Sequence, residues 1–145
     1  MIRSVARSEG WELRLVAEIA GARAREWEWG AHDCACFAAS CLTAQWGFPP
    51  VLWERLAGRW RSEAGAARVL RREGWRDVGE AFDSVTARLP QPALAMRGDI
   101  AAAPGKGGLS LGVAEGGAVW FPAERGLVRL DPAVCVAAWP AEGLY

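Results

Sequence analysis

Apolar residues over the first ninety positions recur at helical spacing, whereas over the last fifty they come in short runs broken by glycine. Trp11, Leu15 and Ile19 fall four apart, with Leu13, Val16, Ala17 and Ala20 widening the stripe. This predicts a helix from Glu9 to about Trp27, weakened at Gly21. Cys34, Phe37, Ala38, Cys41, Leu42 and Gln45 then keep the i, i+3, i+4, i+7, i+8, i+11 order of a second helix, from Cys34 to Trp46, which Gly47 and Pro49-Pro50 end. A loop rich in Trp and Arg follows from Pro49 to Arg61. Ser62 can cap a third helix with Ala66, Val69 and Leu70 on its apolar side and Gly74 at its end. Asp77 with Glu80 three residues on reads as a capping box for a fourth helix over Val78, Ala81, Phe82 and Val85, stopped by Pro90 and Pro92.

Beyond Pro92 the period changes. Asp99 to Ala103, Leu109 to Ala114, Ala118 to Pro122, Leu127 to Leu130 and Cys135 to Trp139 are short apolar runs. Turn signals such as Gly105-Lys106-Gly107-Gly108 and Glu115-Gly116-Gly117 separate them. Five short strands predict a small antiparallel sheet or half-barrel. Helices first and strands second make the chain α+β, a single domain over 1–145 with a helical half at about 9–89 and a β half at about 95–141.

Composition narrows the classes. Lys+Arg and Asp+Glu both total 17, so net charge is zero and nothing draws the chain to nucleic acid. No apolar run approaches the roughly 20 residues that span a bilayer, so no membrane span is expected. The opening Met1 to Arg7 carries Arg3 but no apolar core of a secretory leader; synthesis in a bacterial cytoplasm is the expectation. Nine tryptophans are the compositional anomaly, suited to core anchors or to an interface. In the segment after the second helix, Trp53, Arg59 and Trp60 are the candidate partner-binding residues.

Four cysteines are present: Cys34, Cys36, Cys41 and Cys135. On one helix, Cys34 and Cys36 point to nearly opposite faces, and Cys34 and Cys41 share a face but lie about 10 Å apart along the axis. With one histidine in the chain, no tetrahedral metal set is evident, and neither metal nor cofactor is expected. A bridge from Cys135 to a helix cysteine is open geometrically but disfavoured by cytoplasmic synthesis.

The strongest chemical signal is Trp29-Gly30-Ala31-His32-Asp33-Cys34-Ala35-Cys36-Phe37. Asp33 is a good N-cap, which puts Cys34 at the first helical position, where free N–H groups and the helix dipole favour a thiolate. Cys34 is therefore the candidate nucleophile. It also lies on the apolar stripe, where free cysteine is a common small core residue. His32, two residues earlier, is a candidate base; the alternative is an exposed turn histidine.

These residues resemble the NlpC-type papain-like superfamily of cysteine peptidases. The nucleophile motif is matched by Asp33-Cys34-Ala35-Cys36-Phe37, the Gly-Asp start of the first strand by Arg97-Gly98-Asp99-Ile100, and the second strand by Ser110-Leu111-Gly112-Val113. The chain is most similar to a phage- and prophage-encoded branch. The shared features are Trp29 to Phe37, Ala95 to Asp99, Leu111 to Val113, Gly126-Leu127 and Ala138-Trp139, over roughly residues 11 to 140.

The resemblance implies a papain-like fold and a Cys-His-polar triad. By position, the histidine slot falls on Ser110 and the orienting slot near Trp120 or Phe121, none of which can serve as base or orienter at neutral pH. It further implies a tail-tip-associated phage or prophage protein, mainly structural or adaptor-like, with catalysis lost or reduced. Other phage tail proteins would be its partners and the virion tail its final location. The rival reading is an active cysteine hydrolase cleaving peptidoglycan peptide bonds during DNA entry, with Cys34 as nucleophile and His32 or a partner's residue as base.

Overall fold

A computed structural model describes residues 5–105 and 108–145 of the 145-residue chain. Lys106 and Gly107 of the first expected strand turn, and Met1 to Ser4 of the expected non-leader start, lie outside the described residues. The order is five helices and then five strands, an α+β arrangement.

Helix α1 runs Trp11–Ala22, shorter than the apolar stripe suggests. The chain leaves it at Arg23, and Gly126 N–H donates to the Arg25 carbonyl at 2.8 Å while Trp27 N–H donates to Glu124 at 2.9 Å. Those bonds tie residues 25–27 to the far side of the sheet, so the stripe's last residues never join the helix. Helix α2, Cys34–Trp46, has the expected bounds, with Asp33 capping one end and Gly47 in the left-handed region (φ 86°) closing the other. The expected loop instead contains a short helix α3, Val51–Leu56, started by Pro50 and burying Leu52 and Leu56. Ser62 caps α4, Glu63–Arg72, by accepting the Gly65 N–H. Asp77 caps α5, Val78–Asp83, by accepting the Glu80 N–H. The box there is one residue offset, because the Glu80 carboxylate takes the N–H of Arg76 rather than that of Asp77.

Strands β1 (Ile100–Gly105), β2 (Gly108–Glu115), β3 (Ala118–Pro122), β4 (Leu127–Leu130) and β5 (Ala137–Trp139) form one open antiparallel sheet in the order β4-β3-β2-β1-β5. After β4 the chain crosses to the opposite edge, where Ala102 of β1 pairs with Ala137 of β5. The inner face carries Ile100, Ala102, Leu111, Val113 and Trp139 onto Phe37, Cys41 and Leu42 of α2. The outer face keeps a smaller cluster of Ala101, Ala103, Val119, Phe121, Cys135 and Ala138. Alternate residues of β1 therefore bury on opposite sides, as the two-residue period of a strand requires.

One polar side chain holds the halves in register. Gln45 is fully buried near the end of α2. Its amide donates to the Cys41 and Gly98 carbonyls at 3.2 and 3.0 Å and accepts from Arg7 Nε at 2.8 Å. Gly98 sits at φ 89°, and a Cβ there would strike the Gln45 amide. Next to it, Asp99 starts the sheet: its carboxylate accepts the N–H groups of Met96 and Ala141 at 2.9 and 2.8 Å. Among the described residues no helix is long and apolar enough to cross a membrane.

Candidate functional site

Asp33 organises the entrance of α2. It is extended (φ −111°), 1% exposed, and takes three donors: Cys36 N–H at 2.9 Å on one oxygen, Gly30 N–H at 2.9 Å and the Trp60 indole N–H at 2.7 Å on the other. Backbone turn, helix start and the α3–α4 connection thus meet on one carboxylate. Gly30 makes this approach possible, since at φ 81° it packs so closely that a Cβ would collide with the Trp60 carbonyl oxygen.

Cys34 follows at the first helical position. The residue keeps some surface toward a groove, while its sulfur lies among packed atoms. Burial, helped by the adjacent Asp33 charge, pushes the thiol up to about 11; the Leu111 N–H, the Ser110 hydroxyl and the Ala35 N–H pull the other way and lose. Desolvation at Cys34 therefore opposes the thiolate that the helix start favours. The groove beside Cys34 has a volume of about 420 Å³, with Trp29, Trp60, Leu56, Val69 and Leu109 in its walls.

Ser110 is the residue that β2 brings to the sulfur. A hydroxyl there can donate to a thiolate but cannot accept its proton at neutral pH. Trp120, at the expected orienting position, gives its indole N–H to the Glu115 carbonyl at 3.2 Å, and the guanidinium groups of Arg23 and Arg129 stand 4.7 and 5.9 Å from its ring. Phe121 belongs to the outer-face cluster.

His32 is placed differently from an exposed turn histidine. It is 2% exposed, and its ring meets Phe37 edge to face at 6.2 Å between centroids. Its Nε2 is buried without a hydrogen-bond partner. Burial and the charge of Arg25 hold its pKa below the ordinary value, against the opposing charge of Asp33. The groups that act on the Cys34 sulfur are Ser110, Leu111, Ala35 and Asp33, and the imidazole is not one of them.

Of the candidate partner-binding residues, Trp60 is turned inward, while Arg59 stays exposed and Trp53 is half-buried. Trp60 is 8% exposed, bonded to Asp33, and packed edge to face on Trp53 at 5.9 Å. Arg59 and Arg55 both pair with Glu73, at 2.8 and 2.6 Å, which staples α3 to α4. The segment wraps the fold because its aromatic rings close the core between α2 and α4. Trp53 keeps partial exposure.

All four cysteines are free. Among the described residues no three His, Cys, Asp or Glu side chains are placed to hold a metal ion. The residues that sequence reasoning missed are Trp60 as a donor to Asp33 and Gln45 as the bridge to Gly98. The one available signal for Gln45 was an amide on an otherwise apolar helical stripe.

A family model described as a domain of unknown function, DUF6950, matches residues 6–141. No curated protein and no solved structure matches the chain.

Proposed function

We propose that this chain, which belongs to the DUF6950 family, is a non-hydrolytic structural or adaptor protein built on an NlpC-type fold. What carries the reading is that the groups meeting the Cys34 sulfur are the Leu111 and Ala35 N–H groups and the Ser110 hydroxyl, none of them a base, around a thiol that burial pushes up to about 11. A cysteine hydrolase needs an acceptor for the thiol proton and a donor for the leaving amine, and one imidazole commonly serves both steps. Among the described residues neither role has an occupant at Cys34, while the cap, the helix entrance and the close-packed glycine are present. At pH 7 such a thiol stays protonated.

Its place in a phage or prophage tail tip is what the motif order from Trp29 to Trp139 implies, and other tail proteins would then be its partners. The burial of Trp60 leaves Arg59 and Trp53 as the candidates of that segment with surface to offer a partner.

Two measurements test the reading. Purified protein incubated with peptidoglycan should release no more amine than Cys34→Ala, and mass spectrometry should find no acyl adduct on Cys34. Alkylation of Cys34 should accelerate about tenfold per pH unit from 7 to 9 without a plateau. Release that depends on Cys34, or a plateau by pH 7, would restore the hydrolase. For the tail role, antibody against the chain should label one end of the tail in assembled particles. Label on capsids alone, or on no particle, would remove it.

A further inference from the structure

The single histidine of the chain, two residues before Cys34, is buried with its Nε2 unpartnered. Residues 25–33 are irregular backbone held at two ends. One end is tied to the β3–β4 turn through the main chains of Arg25 and Trp27. The other is closed by a small loop in which His32 N–H donates to the Glu28 carbonyl at 2.7 Å and Glu28 N–H returns to the His32 carbonyl at 3.0 Å. Between them Gly30 packs on the Trp60 carbonyl, Trp29 and Trp60 both line the groove, and Asp33 clamps Gly30, Trp60 and the helix start together into one seam.

The imidazole is shut off from solvent, yet under only a thin layer of atoms. Among the described residues the charges acting on it are Arg25 and Asp33, both on its own segment; from α2 it meets the Phe37 ring. Protonation would turn Nε2, which has no partner, into a charged donor that requires one. The nearby acceptor is Asp33, already occupied by three donors. Turning toward Asp33 would crowd a carboxylate that already holds Gly30, Trp60 and the helix start, and reaching water requires the ring to swing out. Either movement undoes the seam.

We propose that His32 is the pin of an acid-released latch: protonation of its imidazole frees residues 25–33 and opens the groove walled by Trp29, Trp60 and Cys34. The sign follows from the environment. The neutral ring is the one the closed form tolerates, so the latch is shut above the ordinary histidine range near 6.5 and opens progressively below it. The inference is independent of whether the chain hydrolyses anything, because the opening is read without activity or thiol chemistry.

The test uses the full chain. With one histidine, a single imidazole resonance follows the proton directly by NMR. Hydrogen exchange, corrected for the intrinsic pH dependence, follows the seam in peptides covering 25–33 and 56–62. Protection in both peptides should fall at least about tenfold between pH 7.5 and 5, with the midpoint of the imidazole titration, while peptides from α2 and β1 keep theirs. His32→Phe and His32→Gln should both hold the seam closed at pH 5; the second serves if the larger ring upsets packing. An imidazole that titrates with no change in protection overturns the proposal. So does the same loosening in both variants, which would assign it to carboxylates, or a loss spread evenly over α2 and β1, which would be global acid unfolding.

Discussion

The indole N–H of Trp60 donates to the Asp33 carboxylate at 2.7 Å, across 27 positions of chain. A carboxylate read from sequence as a helix cap is also the attachment point of the segment that wraps the helical half. Asp33→Ala removes a cap worth about 1 kcal/mol and leaves the buried Trp60 N–H and the part-buried Gly30 N–H unpaired, for a total of about 3 kcal/mol. Trp60→Phe loses the donor and the pyrrole part of the packed indole, and should cost about 2 kcal/mol. Urea unfolding of the two variants checks both values; equal losses would mean that the ring, not the bond, carries the effect.

Restoring an imidazole at the sulfur should wake the thiol. Ser110→His places a base on β2 where the hydroxyl now reaches Cys34. Alkylation of Cys34 at pH 7 should rise at least about tenfold, since an adjacent imidazolium favours the thiolate. Peptide hydrolysis should not follow, because Trp120 is committed to the Glu115 carbonyl and supplies no orienting acceptor. An unchanged alkylation rate would show that burial, rather than the missing base, silences the site.

Alkaline pH should loosen the domain through its thiols. Burial pushes Cys34 up to about 11 and Cys36 up to about 12, from an ordinary value of 9.0. The unfolded chain therefore releases these protons first as pH climbs past 9, binds fewer than the native state, and gains on it. This stability is whole below pH 9 and is lost as pH rises toward the native values. At about 1.4 kcal/mol per unit, Cys34 accounts for at most roughly 3 kcal/mol, discounted because the residue keeps some exposure. Denaturant midpoints at pH 8 and 10.5 should differ less in Cys34→Ala and Cys36→Ala than in the parent. A difference identical in all three would assign the loss elsewhere.

Three glycines with positive φ should respond unequally to alanine. Gly30 and Gly98 have φ 81° and 89°, and a Cβ at either collides with the Trp60 carbonyl or the Gln45 amide. Gly47 has φ 86°, but a Cβ there meets only Ser8 Oγ at 3.4 Å. Gly47→Ala should cost about 1 kcal/mol, the price of the left-handed conformation alone, and the other two about 3 kcal/mol or more. Thermal melts that rank the three alike would contradict the close packing at Trp60 and Gln45.

Much of the fold was legible because local signals agreed with tertiary demands. Asp33 and Gly47 fixed α2 to the residue, and Ala118–Pro122 and Leu127–Leu130 stood between unambiguous turns. The stripe failed at the end of α1, where Arg25 and Trp27 give their backbone bonds to the β3–β4 turn, a partner a hundred residues away that no helical window contains. It failed again at Val51–Leu56, which is too short for periodicity to register.

At the site, the sequence placed Asp33 and Cys34 at a helix start, and the meeting of Ser110 with the sulfur is a consequence of sheet packing. What could not be read was depth. A helix start favours a thiolate in water, and only the surroundings reveal that desolvation reverses the sign at Cys34. Depth also separates the buried His32 from a surface turn and turns Trp60 from an interface anchor into an interior donor.

The Gln45 amide touches the N-terminal arm through Arg7, its own helix through Cys41, and the threshold of the sheet through Gly98. Three pieces of backbone distant in sequence thereby share one knot, and loosening any of them strands a polar group in the interior of the other two. Melting cannot be parcelled out between the helices and the strands; heat should take the molecule apart in a single step.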